Sequence, residues 1–307
     1  RKNRSDSRPA IEQMDWTLGQ WIDRPTEPVD EDTLEKVHQN ALRILEEIGI
    51  LFLNSEARDI LRGIGCEVDD VTENVRFDRA LVLDAIAKAP GRFTITPRNE
   101  DRQIILGDGH FLFSCVASTP NVSALDGGRR VGNRPDYQNL LRLTQYFNCL
   151  HFNAGYPVEP VDIHASIRHL DCIYDMLTLT NKVVHAYALG SERIEDAMDM
   201  VRIAAGLTED EFQASPRMFT NINSTSPLKH DWPMLDGAMR AARRGQVVVV
   251  SPFTLSGAMA PATVMGAVSQ QNAEFLAALV LLQAVREGAD ESLPVLETLA
   301  FARQCVD

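Results

Sequence analysis

Residues Val247–Leu282 read VVVVSPFTLSGAMAPATVMGAVSQQNAEFLAALVLL, and this stretch decides the fold. Four consecutive valines are apolar on both faces of an extended chain, which suits a buried parallel strand better than an edge. The strand runs into Ser251-Pro252-Phe253-Thr254 and then a small-residue turn, Ser256-Gly257-Ala258-Met259-Ala260. Pro261 stands where a helix should take its first turn, a position at which the missing N–H costs nothing. That helix carries Val264, Ala267, Val268, Gln271, Ala278 and Leu282 at helical spacing, interrupted by the polar Gln270, Asn272 and Glu274. The loop just past a parallel strand is where α/β proteins place their chemistry, so this loop is expected to line any active site.

Upstream, the same grammar repeats. Cys149–Gly155 leads into a helix over His164–Leu179, Lys182–Leu189 into Glu192–Ala205, and Arg217–Asn223 into Asp231–Arg244. The last unit is Val247–Ser251 followed by Ala262–Val285. Strand starts fall 33, 35 and 30 residues apart, the period of consecutive right-handed βαβ units. Four such units do not close an eight-stranded barrel. The expected fold is therefore α/β, a TIM-type (β/α) barrel or its first half, over residues 136–307. Past Leu282 only Gly288–Asp290 and a helical run, Leu293–Val306, remain, so the alternative is an open sheet.

Residues 30–135 read as an α+β region. Asp32–Ile48 is an amphipathic helix stopped at Gly49. Ser55–Leu61, with a possible Ser cap, and Asp78–Lys88 are shorter helices. Phe93–Thr96 reads as a strand, Gln103–Leu106 and His110–Ser114 as a hairpin around Gly107-Asp108-Gly109, and Asp126-Gly127-Gly128 as a second hairpin turn. Asp136–Phe147 is a further helix. Residues 1–29, with Trp16 and Trp21, form a polar arm expected to lie on its own chain or on a second copy.

Composition narrows the function. A formal charge of −13 over 307 residues argues against nucleic acid and against a basic membrane patch. The cysteines Cys66, Cys115, Cys149, Cys172 and Cys305 are scattered, with no CxxC pair, which reads as reduced thiols of a cytoplasmic protein. The start of the chain lacks a signal-peptide core, and Leu276–Leu282 is too short to span a bilayer. No histidine pair has HxxxH or HExxH spacing, so no metal site is expected.

The strand ends share a chemical character. Tyr156, Tyr187 and Phe253 could build an aromatic cage for a quaternary ammonium, although each alone is more often a core aromatic. His185 sits in an apolar strand, where a lone histidine is usually a satisfied core residue. Asn221, Asn223, Ser224, Thr225 and Ser226 form a dense polar run that needs a ligand or the chain itself to satisfy it. Ser256 lies in the loop after the valines, and Lys229-His230 could meet a substrate carboxylate.

Three stretches resemble the trimethylamine methyltransferase family in its broad sense, including members without pyrrolysine that demethylate quaternary amines. They are Ser224-Thr225-Ser226-Pro227-Leu228, Ser256–Thr263, and Gly266-Ala267 with Gln271–Ala277. The N-terminal helix and the Gly49, Gly63 and Gly65 turns are also similar, so the likeness covers about residues 30–283. The resemblance implies transfer of a methyl group from a small quaternary or tertiary amine, such as a betaine, to the Co(I) of a corrinoid. It implies that a separate corrinoid protein carries this cofactor, with none held by this chain. Its chains continue into the second half of a barrel, and residues 284–307 look unlike that continuation. No pyrrolysine-equivalent position is assigned, and no catalytic residue. Tyr156, His185, Tyr187, Asn221, Asn223, Ser224, Phe253 and Ser256 are the candidate substrate-binding residues. The arm and an unfinished sheet suggest a homo-oligomer. A barrel lyase or aldolase would need a buried lysine on a strand, for which only Lys182 is available; a non-catalytic binding protein is the third reading.

Overall fold

The computed structural model describes residues 11–23 and 26–286; the Leu293–Val306 helical run, Gly288–Asp290 and Cys305 lie outside the described residues. In chain order, β1 (Gly19–Gln20) leads to α1 (Glu31–Arg43), which one π-helical turn, Ile44–Ile48, extends to Gly49. Next come β2 (Ile50–Phe52), α2 (Ser55–Gly63), β3 (Glu67–Asp69), β4 (Asn74–Arg76) and α3 (Arg79–Lys88). Strands β5 (Arg92–Ile95), β6 (Ile104–Gly107), β7 (His110–Phe111), β8 (Asn121–Ala124) and β9 (Gly128–Val131) follow. The remainder is α4 (Arg134–Tyr146), α5 (Arg168–Leu179), β10 (Val184–Tyr187), α6 (Ser191–Ala205), α7 (Glu209–Gln213), β11 (Met218–Ile222), β12 (Lys229–His230), α8 (Trp232–Arg243), β13 (Val247–Val250) and α9 (Val264–Val285).

The valines form β13, which pairs in parallel with β11, with Val247 opposite Phe219 and Val250 opposite Ile222. Strand β11 pairs in parallel with β10, and a parallel bridge from Val183 to Phe152 carries the order one unit further back. The unit expected at Cys149–Gly155 is thus reduced to single bridges at Phe152, and its helix begins only at Arg168. Side-chain alternation gives the sheet two different faces. Met218, Thr220 and Ile222 are buried beneath one face, while Phe219, Asn221, Val247 and Val249 belong to the other. The second face is capped by a small apolar cluster that includes Ile95 and Ile104 from the β5–β6 pair and Trp16 and Leu18 from the arm.

Helix α9 is buried without a break from Ala273 to Leu282, which marks it as a central helix and not a half-exposed one. Helices α1 and α3 pack along it, with α2 and α8 alongside. One hydrophobic cluster therefore draws residues from both sides of position 135: Leu42, Phe52 and Val82 with Leu141, Met239 and Leu279. Strand β12 adds a second seam, pairing in parallel with β2 so that His230 faces Phe52.

Two local expectations need correction. Gly107-Asp108-Gly109 does turn the chain, each with positive φ, but β6 pairs with β5 and β7 with β1, so no ladder closes across the turn. The arm's strand has taken the partner that a hairpin would have used. Helix α2 is capped by Asn54, whose side chain accepts from Ala57 N at 3.1 Å, and Ser55 is its first residue. The Asp126-Gly127-Gly128 hairpin forms as expected between β8 and β9. The described part of the arm lies on its own chain. Trp16 packs edge-on against His151 at 5.2 Å with the Arg102 guanidinium 4.5 Å above its ring, and Asn148 Nδ2 donates to Met14 O at 2.8 Å. Among the described residues no helix is long and apolar enough to cross a membrane.

Helix α8 approaches the end of β10 closely because Gly237 has no side chain: a Cβ there would lie 2.9 Å from Ala188 Cα. Gly237→Val is expected to destabilise the fold by about 1–3 kcal/mol through overpacking. The same change at Gly63, where a Cβ meets nothing within 4 Å, is the control. Denaturant midpoints that shift equally for both variants contradict this packing.

Candidate functional site

The capped face of the parallel sheet holds a cavity of about 570 Å³. Its floor is Phe219 and Asn221 of β11 with Val247 and Val249 of β13; Phe152 and Tyr187 stand at one side. Ile95, Ile104, Leu106 and Leu112 roof it, and Asn223, Ser251 and Ser118 supply polar atoms at the rim. Among the described residues no charged side chain lines it. Three aromatic rings, a few amides and hydroxyls and no fixed charge suit a ligand that is itself a compact cation.

Tyr187 is fixed from three directions. Its hydroxyl lies 2.6 Å from Ser118 Oγ and accepts from Tyr156 N at 3.2 Å, and its ring meets Tyr156 edge-to-face at 4.9 Å. Gly155, at φ +135°, permits this, since a Cβ there would sit 2.6 Å from the Tyr187 hydroxyl. Burial pushes both tyrosine hydroxyls above their ordinary pKa, so they act as neutral hydrogen-bonding groups. Tyr156 is itself buried behind Tyr187 and does not line the cavity.

His185 is fully buried in β10, where its Nε2 donates to Asn221 Oδ1 at 2.6 Å and its Nδ1 has no hydrogen-bond partner. Burial drops its pKa to about 4, against a small opposing effect of Asn221. His185 therefore stays neutral at physiological pH and orients the Asn221 amide at the cavity floor. Asn223, with its amide turned to donate, reaches Ser251 O at 3.1 Å and Ile222 O at 3.2 Å.

The rest of the expected set lies elsewhere. Ser224 is turned away from the cavity into a buried cluster around Glu274 of α9, to which its hydroxyl donates. Ser226 Oγ donates to the same carboxylate at 2.6 Å, with Leu228 N and Gln270 Nε2 both at 2.8 Å. His230 Nε2 donates to the Glu274 carbonyl at 2.9 Å, and Lys229, in β12, does not line the cavity. The two serines of the polar run, Ser224 and Ser226, are thus satisfied by a buried carboxylate instead of a ligand, while Asn221 and Asn223 remain at the cavity. Phe253, 54% exposed, stands out on the loop after β13 and does not complete a cage with Tyr156 and Tyr187. Ser256 donates within that loop, to Pro261 O and Ala262 O. The loop's own hydrogen bonds are the physical reason: the strand fixes Ser251, and the residues beyond it close a turn on Leu255, with Ala258, Met259 and Ala260 all donating to its carbonyl.

Phe152 and Phe219 are the aromatic walls that the sequence reading missed. Phe219, Asn221 and Asn223 recur at every second position, so the strand period alone could have put Phe219 beside the two asparagines. Lys182 is buried, which brings its ammonium down to about 8, with Arg102 adding to the shift. It donates to the Thr144 and Phe147 carbonyls at the end of α4 and lies 5.5 Å from the Trp16 ring. It does not line the cavity, so the Schiff-base reading lacks its nucleophile. Among the described residues no three His, Cys, Asp or Glu side chains gather as metal ligands.

Comparison with known proteins gives this arrangement its context. The sequence profile of the trimethylamine methyltransferase (MTTB) family matches residues 1–294, and the chain belongs to that family. Over 258 residues it is 34% identical to a glycine betaine methyltransferase of Desulfitobacterium hafniense (strain Y51), covering 84% of this chain and 53% of that protein. It is 28% identical over 261 residues to trimethylamine methyltransferase MttB of Desulfitobacterium hafniense (strain DSM 10664 / DCB-2), covering 84% of this chain and 52% of that protein. It is 26% identical over 263 residues to a proline betaine:corrinoid methyltransferase of Eubacterium limosum, covering 84% and 53% respectively. The chain spans about half the length of the curated relatives it matches.

The His185 environment predicts a pH effect. The folded protein holds His185 near pKa 4 against an ordinary 6.5, so the unfolded chain binds the extra proton first as pH falls. Stability contributed by neutral His185 is present above pH 6.5 and lost between 6.5 and about 4, by about 3 kcal/mol over the window. His185→Gln should flatten the stability–pH curve by that amount relative to wild type, read from urea midpoints. Parallel curves contradict the assignment.

Proposed function

We propose that this chain supplies the amine-binding part of a methyltransferase that moves a methyl group from a small quaternary or tertiary amine, such as a betaine, to the Co(I) of a corrinoid carried by a separate protein. One observation carries the reading: a cavity with aromatic walls and no charged side chain among the described residues, in a chain of the trimethylamine methyltransferase family. A relative 34% identical, named a glycine betaine methyltransferase, points to the same substrate class.

The chemistry asks little acid–base work of the protein. The C–N bond breaks with its electron pair staying on nitrogen, so a quaternary ammonium leaves as a neutral amine and needs no proton. The corrinoid, when its carrier protein docks, supplies the electron pair that accepts the methyl group. This chain's residues bind and orient the cation. The faces of Tyr187, Phe152 and Phe219 hold a charge that burial cannot neutralise. The apolar roof keeps water out, and His185, neutral at working pH, adds no repulsion beneath the site. The reading includes a TIM-type barrel, of which the four βα units form the first half; the in-sequence parallel pairing of β10, β11 and β13 supports it. It also includes a cytoplasmic location, which the free Cys66, Cys115, Cys149 and Cys172 suit, and assembly into a homo-oligomer through the open sheet. Light scattering at micromolar concentration should give at least twice the 34.1 kDa chain mass; a clean monomer removes the oligomer from the reading.

Calorimetric titration with tetramethylammonium, choline, glycine betaine and trimethylamine tests the site. Phe219→Leu keeps an apolar floor but removes a ring face, and should weaken quaternary ammonium binding by roughly two- to thirtyfold, as should Tyr187→Ala. Phe253→Ala should leave it unchanged. Loss of affinity in Phe253→Ala alone would return the site to the outer loop. Methyl transfer is read separately, as the absorbance change of a reduced corrinoid protein mixed with the amine-loaded chain. Tight binding with no absorbance change would favour a non-catalytic binding protein.

A further inference from the structure

A second cavity, of about 260 Å³, lies on the other side of Tyr187 and Ser118, which line both spaces. It sits over the end of β10, between the first turns of α5 and α6, and its character is opposite to that of the amine cavity. Glu159, Arg168, His169 and Arg193 all line it.

Three of these charged or titratable groups are accounted for. Arg168 meets Glu159 at 3.3 Å and donates to Ile163 O at 2.9 Å. His169, only 8% exposed, bonds Asp196 Oδ2 through Nε2 at 2.8 Å, while its Nδ1 has no hydrogen-bond partner. Arg193 is different: among the described residues no acceptor or carboxylate is paired with it. It stands in the first turn of α6, where the helix dipole disfavours a cation. That turn also begins at Gly190, which has no side chain to cap the amides, and α5 starts at Ile167 with no side-chain cap. Helices α1, α2, α3, α4, α7, α8 and α9 all have one.

We propose that this cavity is a binding site for a carboxylate, held by the Arg193 guanidinium. An oxyanion there gives the unpaired arginine a charge-assisted partner. Among the lining residues Arg168 is matched by Glu159, which leaves Arg193 as the cation without an acidic partner. That balance fits a monoanionic carboxylate better than a phosphate dianion. Glu192, also in the first turn, is exposed and outside the cavity. Because Tyr187 and Ser118 are shared walls, the carboxylate has two possible sources. It is either the acidic end of the amine substrate, which rests on the reading proposed above, or a separate small acid beside it.

The test compares wild type, Arg193→Gln and Arg193→Lys, using acetate by ligand-observed NMR and glycine betaine and choline by calorimetry. Arg193→Gln should weaken acetate binding by about ten- to a hundredfold, the effect of losing a charge-assisted pair. Arg193→Lys should restore most of it, and choline, which has no carboxylate, should stay within about twofold of wild type. If glycine betaine weakens along with acetate, the carboxylate is the substrate's own; if only acetate weakens, a separate acid occupies the cavity. Acetate that binds and depends on Arg193 while neither choline nor betaine binds leaves this site standing and removes the amine reading. The proposal is overturned if wild type binds no acetate and betaine affinity is the same in Arg193→Gln, or if acetate binds all three proteins equally.

Discussion

The structure hangs on a buried carboxylate. Glu274, fully inaccessible in the middle of α9, accepts hydrogen bonds from Ser224, Ser226, Leu228 N and Gln270, and among the described residues it has no cationic partner. A carboxylate can be buried in this way only when donors replace its water, so the loop after β11 must close onto α9 for the helix to be seated at all. The same loop then delivers β12 to β2 and brings His230 against the Glu274 carbonyl. The helix that anchors α1 and α3 is thereby tied to the sheet that bears the cavity. One polar knot joins the α+β region to the βα units, with hydrophobic packing on every side of it.

The two cavities follow from how that sheet is dressed. Polar and charged groups are spent on holding elements together, leaving the capped face with rings, amides and aliphatic side chains. Across Tyr187 the first turns of α5 and α6, with Glu159, do the opposite and gather charge. Tyr187, locked by Ser118 and the Tyr156 amide, is the partition between an environment suited to a cation and one suited to an anion. A betaine carries both charges within a few bonds.

Much of the scaffold was legible because period and capping chemistry are local. The spacing of the strand–helix units matched the parallel order of β10, β11 and β13, and Gly49, Asp78 and Asp126-Gly127-Gly128 marked helix and hairpin limits. The site was only partly legible. Tyr187, Asn221 and Asn223 reach the cavity, and His185 supports it from below, because strand residues have a face fixed by pairing. Ser224 did not, since its partner Glu274 lies fifty residues away and no local signal marks a long-range hydrogen bond. Phe253 and Ser256 failed for a different reason: past the last paired residue, direction is set by the loop itself. The β6–β7 hairpin failed because the arm strand β1, with no periodicity of its own, took β7.

Binding of a quaternary cation in the uncharged cavity on the capped face of the sheet can be seen crystallographically. Anomalous diffraction from crystals grown with tetramethylarsonium, an isostere of a quaternary amine, tests it most directly. An arsenic peak is expected within about 6 Å of the ring centres of Tyr187 and Phe219. A peak at the Phe253 loop, or none in the cavity at saturating concentration, would contradict it.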